Sequence, residues 1–156
     1  MSEIYSMPGH LIRRLNQISI SIFTNSMAEI NLDITPVQYA ALSVISTNPG
    51  IDQAGLAGMI AYDCVTIGGV VNRLVQKKLI TRMVSKRDRR ARELVISAAG
   101  EELLKELRPV VKKLQPEIMK GLTETEAETF LKLLKKTTEA GNEISRAPLR
   151  HGNKIQ

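Results

Sequence analysis

Two short helical patterns joined by a tight turn, with two short strands after them, occupy the centre of this chain and leave few folds open. Asp52 and Asp63 each stand before a run of apolar residues at helical spacing, where N-cap residues stand. Residues 79–84 and 92–96 have strand character and are joined by a polar connector. Two helices around a turn, followed by a hairpin, predict a winged helix-turn-helix over residues 35–96.

Longer helices are predicted on either side of this unit. One covers residues 8–30, and two more cover residues 98–146, where Ser97 caps the first and Thr123 opens a capping box for the second. Pro109 lies inside the first of these two and is expected to kink or divide it. The fold class predicted is therefore mainly α with a small β-wing.

The predicted first helix is apolar over more than half of its circumference. Its apolar residues fall on two adjoining stripes: Leu11, Leu15, Ile18 and Ile22 on one, and Ile12, Ile20, Phe23, Met27 and Ile30 on the other. A small domain cannot cover both stripes from one side. Burial of residues 8–30 against a second chain is the simplest solution, and we therefore expect a dimer.

Length and composition are those of an ordinary globular domain. The 156 residues, 43% hydrophobic and 24% charged, predict a single domain over 1–156, with a flexible tail over 147–156. There is no apolar run of the roughly 18 residues that a membrane span needs, and no secretory signal is expected. Cys64, the single cysteine, cannot form an internal disulfide, which favours a cytoplasmic protein.

Positive charge is concentrated in residues 73–92. Nine of the 22 basic residues lie in this window with Asp88 as the only acid, a net charge of +8 against +6 for the whole chain. Such a surface is typical of phosphate binding, although a solvated charged face is the alternative. Aromatic residues are only 3%, which argues against base stacking on single strands and favours double-stranded DNA.

No pattern of catalytic or metal-binding residues is recognisable. The chain has no glycine-rich phosphate loop, no His/Cys/Asp cluster at metal-ligand spacing and no nucleophile elbow. We expect no enzyme activity, no cofactor and no metal. A small hydrolase or transferase that uses His10 is the enzymatic alternative.

Three motifs accompany this order of elements. They are Ile34-Thr35-Pro36-Val37-Gln38-Tyr39, Asn72-Arg73-Leu74 in the second short helix, and Arg87-Asp88-Arg89-Arg90 in the hairpin. Together they make residues 8–144 resemble the MarR family of bacterial transcriptional regulators.

Two further segments narrow the resemblance. Pro8-Gly9-His10-Leu11-Ile12-Arg13-Arg14 and Thr66-Ile67-Gly68-Gly69-Val70 resemble the branch that controls aromatic-acid catabolism, nicotinate degradation included.

The resemblance implies a homodimeric, sequence-specific regulator that binds double-stranded DNA and is most often a repressor. Residues 8–30 and 98–146 would form its dimerisation helices. Each second short helix would enter the major groove of one half of a palindromic operator, with the wing beside it. A small aromatic carboxylate would bind in a crevice between the dimerisation region and the winged domain, and would release the DNA. A nucleoid-type protein without an effector is the alternative.

The candidate DNA contacts lie off the apolar stripe of the second short helix or in the hairpin. They are Thr66, Asn72, Arg73, Gln76, Lys77, Lys86, Arg87, Arg89 and Arg90. Many family members carry a base-reading arginine where this chain has Gly69, so base readout falls to the remaining polar residues or to DNA shape. Arg73 has a structural ion pair as its alternative role, and Asp88 is expected to hold one wing arginine by a charge-assisted hydrogen bond.

The candidate ligand contacts include a stripe on the first helix, where an arginine and a histidine can together bind a carboxylate. They are His10, Arg13, Arg14, Gln17, Tyr39 and Ser43. The alternative for the stripe is the solvent face of a dimer helix.

Cys64 near the start of the second short helix supports a redox-responsive regulator as a further alternative, because a helix N-terminus can favour the thiolate. The reactive cysteine of redox-sensing relatives lies in the first helix, so that role does not carry over by resemblance.

Overall fold

The computed structural model describes residues 3–85 and 88–151. A 3₁₀ turn at Glu3–Ser6 precedes six helices and three strands, and a second 3₁₀ turn at Asn142–Ile144 follows them. In chain order the elements are α1 (Pro8–Glu29), α2 (Pro36–Thr47), β1 (Ile51–Asp52), α3 (Gln53–Met59), α4 (Cys64–Gln76), β2 (Ile80–Val84), β3 (Arg92–Ile96), α5 (Ala98–Ile118) and α6 (Glu124–Ala140). The predicted fold class, a mainly helical winged helix-turn-helix, is confirmed.

The capping residues begin the helices where the sequence predicts. Thr35, Asp52, Asp63, Ser97 and Thr123 each accept, through the side chain, the backbone N–H of the residue three positions further on. In the first turn of each helix from α2 to α6, one backbone N–H group that would otherwise be unpaired therefore has an acceptor.

The wing contains a third strand that the sequence did not indicate. The antiparallel sheet has the order β1-β3-β2, with Ile51 opposite Leu94 and Ile80 opposite Ile96. A two-residue strand has no measurable periodicity, so only its pairing with β3 reveals β1.

One hydrophobic core joins α2, α3, α4, the sheet and the first half of α5. Its fully buried large side chains are Met27, Leu42, Ile45, Leu56, Ile67, Val71, Leu74, Ile80, Leu94, Leu104 and Leu107. From α1 only Phe23 and Met27 are buried, so the N-terminal half of that helix stands outside the core.

α5 continues through Pro109 and Pro116, so the expected division at Pro109 does not occur. Each proline leaves one carbonyl without its helical donor, on Lys105 and Lys112 respectively. All four residues are exposed, and water can satisfy those carbonyls without breaking the helix.

Apolar side chains of α1 and α6 remain uncovered in the single chain. Among the described residues, α6 has no buried side chain at all. The exposed apolar residues of the two helices include Leu11, Ile12, Ile18, Ile20, Leu131, Leu133 and Leu134. A role for these helices in dimerisation stays a prediction.

The chain end differs from the expected extension of the last helix. α6 stops at Ala140, and Ile144, expected on its inner face, is 89% exposed in the 3₁₀ turn. Within residues 147–151, expected to begin a flexible tail, Arg150 donates its backbone N–H to Gly58 of α3, whereas 152–156 lie outside the described residues.

Within the described ranges, no single helix is both long and apolar enough to cross a membrane. Only α3 and α4 together, bent by 111°, reach the required length and composition.

Candidate nucleic-acid interface and effector crevice

α4 turns one face to the core and presents the other to solvent. Ile67 and Leu74 are fully buried, while Thr66, Arg73 and Gln76 are exposed. This division follows from the 3.6-residue period, and it makes the polar residues accessible to a partner.

The N-terminus of α4 is built around Asp63. Its carboxylate accepts the backbone N–H of Thr66 at 2.9 Å and the Thr66 hydroxyl at 2.7 Å. These two hydrogen bonds lower the pKa of Asp63, and the positive charge of Arg146 lowers it further. The carboxylate stays ionised, and Thr66 retains its hydroxyl oxygen as an acceptor.

Asn72 connects α4 to the wing. Its side-chain oxygen accepts a hydrogen bond from the guanidinium of Arg82 on β2. Arg82 belongs to the basic window but was not among the candidate contacts, because a strand position gives no sign that its side chain reaches the helix. The bond orients Asn72 and links α4 to β2 of the wing.

Lys77 has a different environment from the other candidates of α4. Its ammonium donates to the backbone carbonyl of Asp33, to the Asp33 carboxylate at 2.9 Å and to Gln38 at 3.4 Å. The structural ion pair considered for Arg73 is thus formed by Lys77, which ends α4 and meets the α1–α2 loop.

The wing tip presents exposed arginines on a turn closed by Asp88. The Asp88 carboxylate accepts the backbone N–H of Arg90 at 2.9 Å, and the N–H of Ser85 donates to Ala91 O at 3.0 Å. Asp88 was expected to hold an arginine side chain; among the described residues it holds the Arg90 backbone. Arg89 and Arg90 are exposed, whereas Lys86 and Arg87 lie outside the described residues.

A crevice of about 340 Å³ separates the winged domain from the long helices. Its walls come from α1, α2, α5 and the turn before α4, and the aromatic rings of Phe23 and Tyr39 lie 6.1 Å apart. The lining residues are Asn16, Ser19, Ile20, Ile22, Phe23, Pro36, Tyr39, Tyr62, Val111, Leu114, Gln115 and Ile118. Apolar walls with a few polar groups at this size suit a small organic ligand.

A larger depression of about 920 Å³ lies between the α1–α2 loop and the start of α5. Leu79 and Leu103 line its floor, and the Lys77–Asp33 ion pair stands on its rim. It is open to solvent and has no aromatic lining, so the crevice suits an aromatic ligand better.

The structure separates most of the predicted ligand contacts from this crevice. On α1, Arg13 donates to Gln17 at 2.8 Å, the ring of His10 lies edge-on to Tyr5 at 5.6 Å, and Arg14 is exposed. None of these α1 candidates lines the crevice in the described single chain.

Of the two candidates on α2, only Tyr39 lines the crevice. The Ser43 hydroxyl donates to the backbone carbonyl of Tyr39 at 2.8 Å. The polar residues of α1 that do line it, Asn16 and Ser19, were missed. Asn16 and Ser19 precede the buried Phe23 at helical spacing, so they lie on the same face of α1. This spacing is the sequence signal that could have identified them.

Cys64 is exposed in the first turn of α4. In the described ranges no group of three or more His, Cys, Asp or Glu side chains could hold a metal ion.

An exposed helix after a tight turn, followed by a basic wing, defines a winged helix-turn-helix protein of the DNA-binding class. The MarR family model matches residues 34–91. A putative transcriptional regulatory protein for the hcr operon of Thauera aromatica is 33% identical over 84% of this chain and 80% of its own length. The transcriptional repressor NicR of Pseudomonas putida is 27% identical over 88% and 86%.

Solved structures agree with this assignment. The PcaV regulator of Streptomyces coelicolor, in complex with its natural ligand, matches with a TM-score of 0.80 and 26% identity, over 90% of this chain and 98% of its own. A cysteine-to-serine mutant of MarR from E. coli, complexed with operator DNA, matches with a TM-score of 0.75 and 26% identity over 83% and 91%. The chain belongs to the MarR family and is a DNA-binding transcriptional regulator.

Proposed function

We propose that this regulator is a homodimeric repressor that leaves its operator when a small aromatic carboxylate binds. The observation that carries the proposal is the crevice, whose walls come from both the winged domain and the long helices. A ligand held between two such units acts on their relative position.

The DNA surface consists of the exposed face of α4 and the wing tip. α4 would enter the major groove with Thr66, Asn72, Arg73 and Gln76, because helix-turn-helix proteins read bases with this helix. Arg89 and Arg90, together with Lys86 and Arg87, would lie along the minor groove and its phosphates. Lys77 is left out because Asp33 holds its ammonium.

The dimer would bury the exposed apolar residues of α1 and α6, and two α4 helices related by a two-fold axis would match a palindromic operator. The dimer also bears on ligand binding. The crevice of the described single chain is lined by neutral polar and apolar residues, while Arg14 and His10 stand on the uncovered part of α1. We propose that these two side chains bind the carboxylate of the ligand. They would reach it either from the same copy of the chain or from the other copy in the dimer.

The switch requires a difference in ligand affinity between two dimer geometries. The acid must bind better to the spacing of α4 helices that does not fit the operator, since equal affinity for both would shift nothing.

The first experiment is a fluorescence anisotropy titration of the purified protein on DNA from upstream of its own gene, with a scrambled duplex as reference. The titration is repeated with benzoate, hydroxybenzoate, nicotinate and hydroxynicotinate. We expect preferential binding to the upstream DNA and release by at least one acid. Equal, salt-dominated binding to both duplexes would overturn the repressor in favour of a nucleoid-type protein.

Wing variants test the DNA surface. Arg89→Ala and Arg90→Ala should each weaken binding and reduce the slope of log K against log salt by about 0.9 for each lost phosphate contact. Arg108→Ala, an exposed arginine on α5 outside the basic window, is the matched control. Unchanged affinity and slope in both wing variants would remove the wing from the proposal.

Crevice variants test the ligand site. Ser19→Leu fills the crevice and Arg14→Ala removes the proposed carboxylate contact, so both should bind DNA normally but resist release by the active acid. Ser21→Ala, an exposed position on α1 that does not line the crevice, should respond as the native protein does. A native response in both test variants would contradict the assigned site.

A further inference from the structure

The segment after α6 folds back on itself and is closed by the contacts of three side chains. Asn142 accepts the backbone N–H of Leu149 at 2.8 Å and donates to its carbonyl at 3.2 Å. Glu143 and Arg150 form a two-pronged ion pair at 2.6 and 2.9 Å. These contacts close residues 142–150 into a loop that we call the C-terminal clasp.

The C-terminal clasp is attached to the helix-turn-helix. The backbone N–H of Arg150 donates to the carbonyl of Gly58, near the end of α3, at 2.8 Å. A Cβ at Gly58 would lie only 3.0 Å from the Cβ of Arg150, so the absence of a side chain permits this close approach. The clasp is therefore held at the end of α3, which precedes the turn that leads to α4.

Arg146 lies within the clasp, and its charge reaches Asp63. The positive charge of Arg146 contributes to the lowered pKa of Asp63, whose main cause is the pair of hydrogen bonds from Thr66. Arg146 is exposed, and among the described residues no acidic side chain forms a direct ion pair with it.

The negative charge of Asp63 at the start of α4 opposes the approach of DNA, and the positive charge of Arg146 can offset it. N-terminal residues of a recognition helix approach the bases, but here the helix is capped by an ionised aspartate that repels phosphates. Arg146 belongs to the clasp, which is anchored at Gly58 shortly before the turn that leads to α4. Its guanidinium offsets part of the repulsion and can itself bind a phosphate oxygen through two N–H groups.

We propose that the C-terminal clasp belongs to the DNA-binding surface and that Arg146 contacts a phosphate bordering the groove entered by α4. This inference rests on the proposed DNA-binding mode. It adds a third contact region, contributed by the end of the chain, to the helix and the wing.

The test uses the full chain and the upstream duplex to which the native protein binds. Arg146→Ala should weaken binding about three- to tenfold at physiological salt and reduce the salt slope by about 0.9, the value for one lost phosphate contact. Arg146→Lys should retain most of the affinity and the slope, because the charge is kept. The thermal midpoint of both variants should equal that of the native protein, since the side chain is exposed.

Arg150→Ala removes the ion pair with Glu143 while keeping the backbone N–H, and should weaken DNA binding less than Arg146→Ala does. Unchanged affinity and salt slope for Arg146→Ala, alongside losses for Arg89→Ala, would overturn the role of the clasp and leave the proposed function intact. Unchanged binding in both Arg146→Ala and Arg89→Ala would overturn the role of the clasp and would also remove the Arg89 contact from the proposed DNA surface.

Discussion

Three described residues other than glycine adopt the left-handed conformation, and each ends a helix. Asn31, Ala61 and Lys78 have φ values of 57°, 55° and 59° after α1, α3 and α4. After α4, the N–H groups of Lys78 and Leu79 reach back to the carbonyls of Val75 and Leu74 at 2.9 and 3.0 Å. This arrangement is a Schellman motif, in which glycine is the usual left-handed residue.

Replacement of Lys78 by glycine should therefore stabilise the protein. A left-handed residue with a Cβ costs about 1–2 kcal/mol, and Lys78→Gly removes this cost. Glycine also gives the unfolded chain more entropy, so the net stabilisation should be about 0.5–1 kcal/mol. Urea unfolding measures the gain. Lys78→Ala keeps the Cβ, so equal stability of the two variants would refute this explanation.

The lowered pKa of Asp33 makes the stability of the protein depend on pH. The hydrogen bond from Lys77 and its charge hold the pKa of Asp33 below the ordinary value of 3.8. A carboxyl with a lowered pKa in the folded state stabilises the protein above its unfolded pKa, and this contribution is lost as the pH falls through the folded value.

Asp33→Asn should therefore destabilise the protein slightly near neutral pH, and the difference should stay constant down to about pH 5 and shrink as the pH falls below about 4. Unfolding curves across this range provide the measurement. In a Lys77→Met background the same substitution should show no such pH dependence; if the dependence persists there, Lys77 is not its cause.

At the scale of elements, the start of α5 is packed against the wing without room for a side chain. A Cβ at Gly100 would collide with the backbone carbonyl of Leu79 and would lie 2.7 Å from Cγ1 of Ile96. Ser97 Oγ accepts the Gly100 N–H at 3.1 Å and donates to the Lys78 carbonyl at 2.7 Å. These hydrogen bonds fix the start of α5 to the residues that follow α4.

Gly100→Ala should cost about 1–3 kcal/mol of stability, because neither the backbone nor the sheet can yield easily. Gly69→Ala is the matched control: it lies inside α4 with nothing within 4 Å of the added Cβ, and should gain up to about 1 kcal/mol. Chemical denaturation of both variants decides the point, and a neutral Gly100→Ala would contradict the packing described.

At the scale of the whole molecule, the apolar faces of α1 and α6 are uncovered in the single chain, and the proposed homodimer would bury them. Ile18 is 47% exposed in the middle of α1, where the first apolar stripe finds no cover in the single chain. Contiguous exposed apolar surface of this kind marks an association surface.

Ile18→Glu should shift the protein from dimer to monomer in sedimentation velocity, since a charge would be buried in the interface. Val65→Glu is the control, because Val65 is 88% exposed on α4 and belongs to the proposed DNA surface. Its oligomeric state should not change. A native dimer in Ile18→Glu would show that this face of α1 is not the interface.

The amino-acid sequence determined the long and short helices, β2 and β3, and their order, because the signals for them are local. A cap such as Asp63 and the apolar residues of its helix lie within a few positions of each other, and their effect needs no distant partner. The basic wing was equally visible, since its charges are neighbours in the chain.

Only the tertiary structure decided which side chains meet across the chain. Lys77 pairs with Asp33 over 44 positions, β1 exists through its pairing with β3, and Arg150 reaches Gly58. The crevice likewise depends on how α1, α2 and α5 pack, which put Asn16 and Ser19 into its wall in place of the predicted arginines. Such contacts depend on the global packing of a core that many segments share, and no local pattern encodes their geometry.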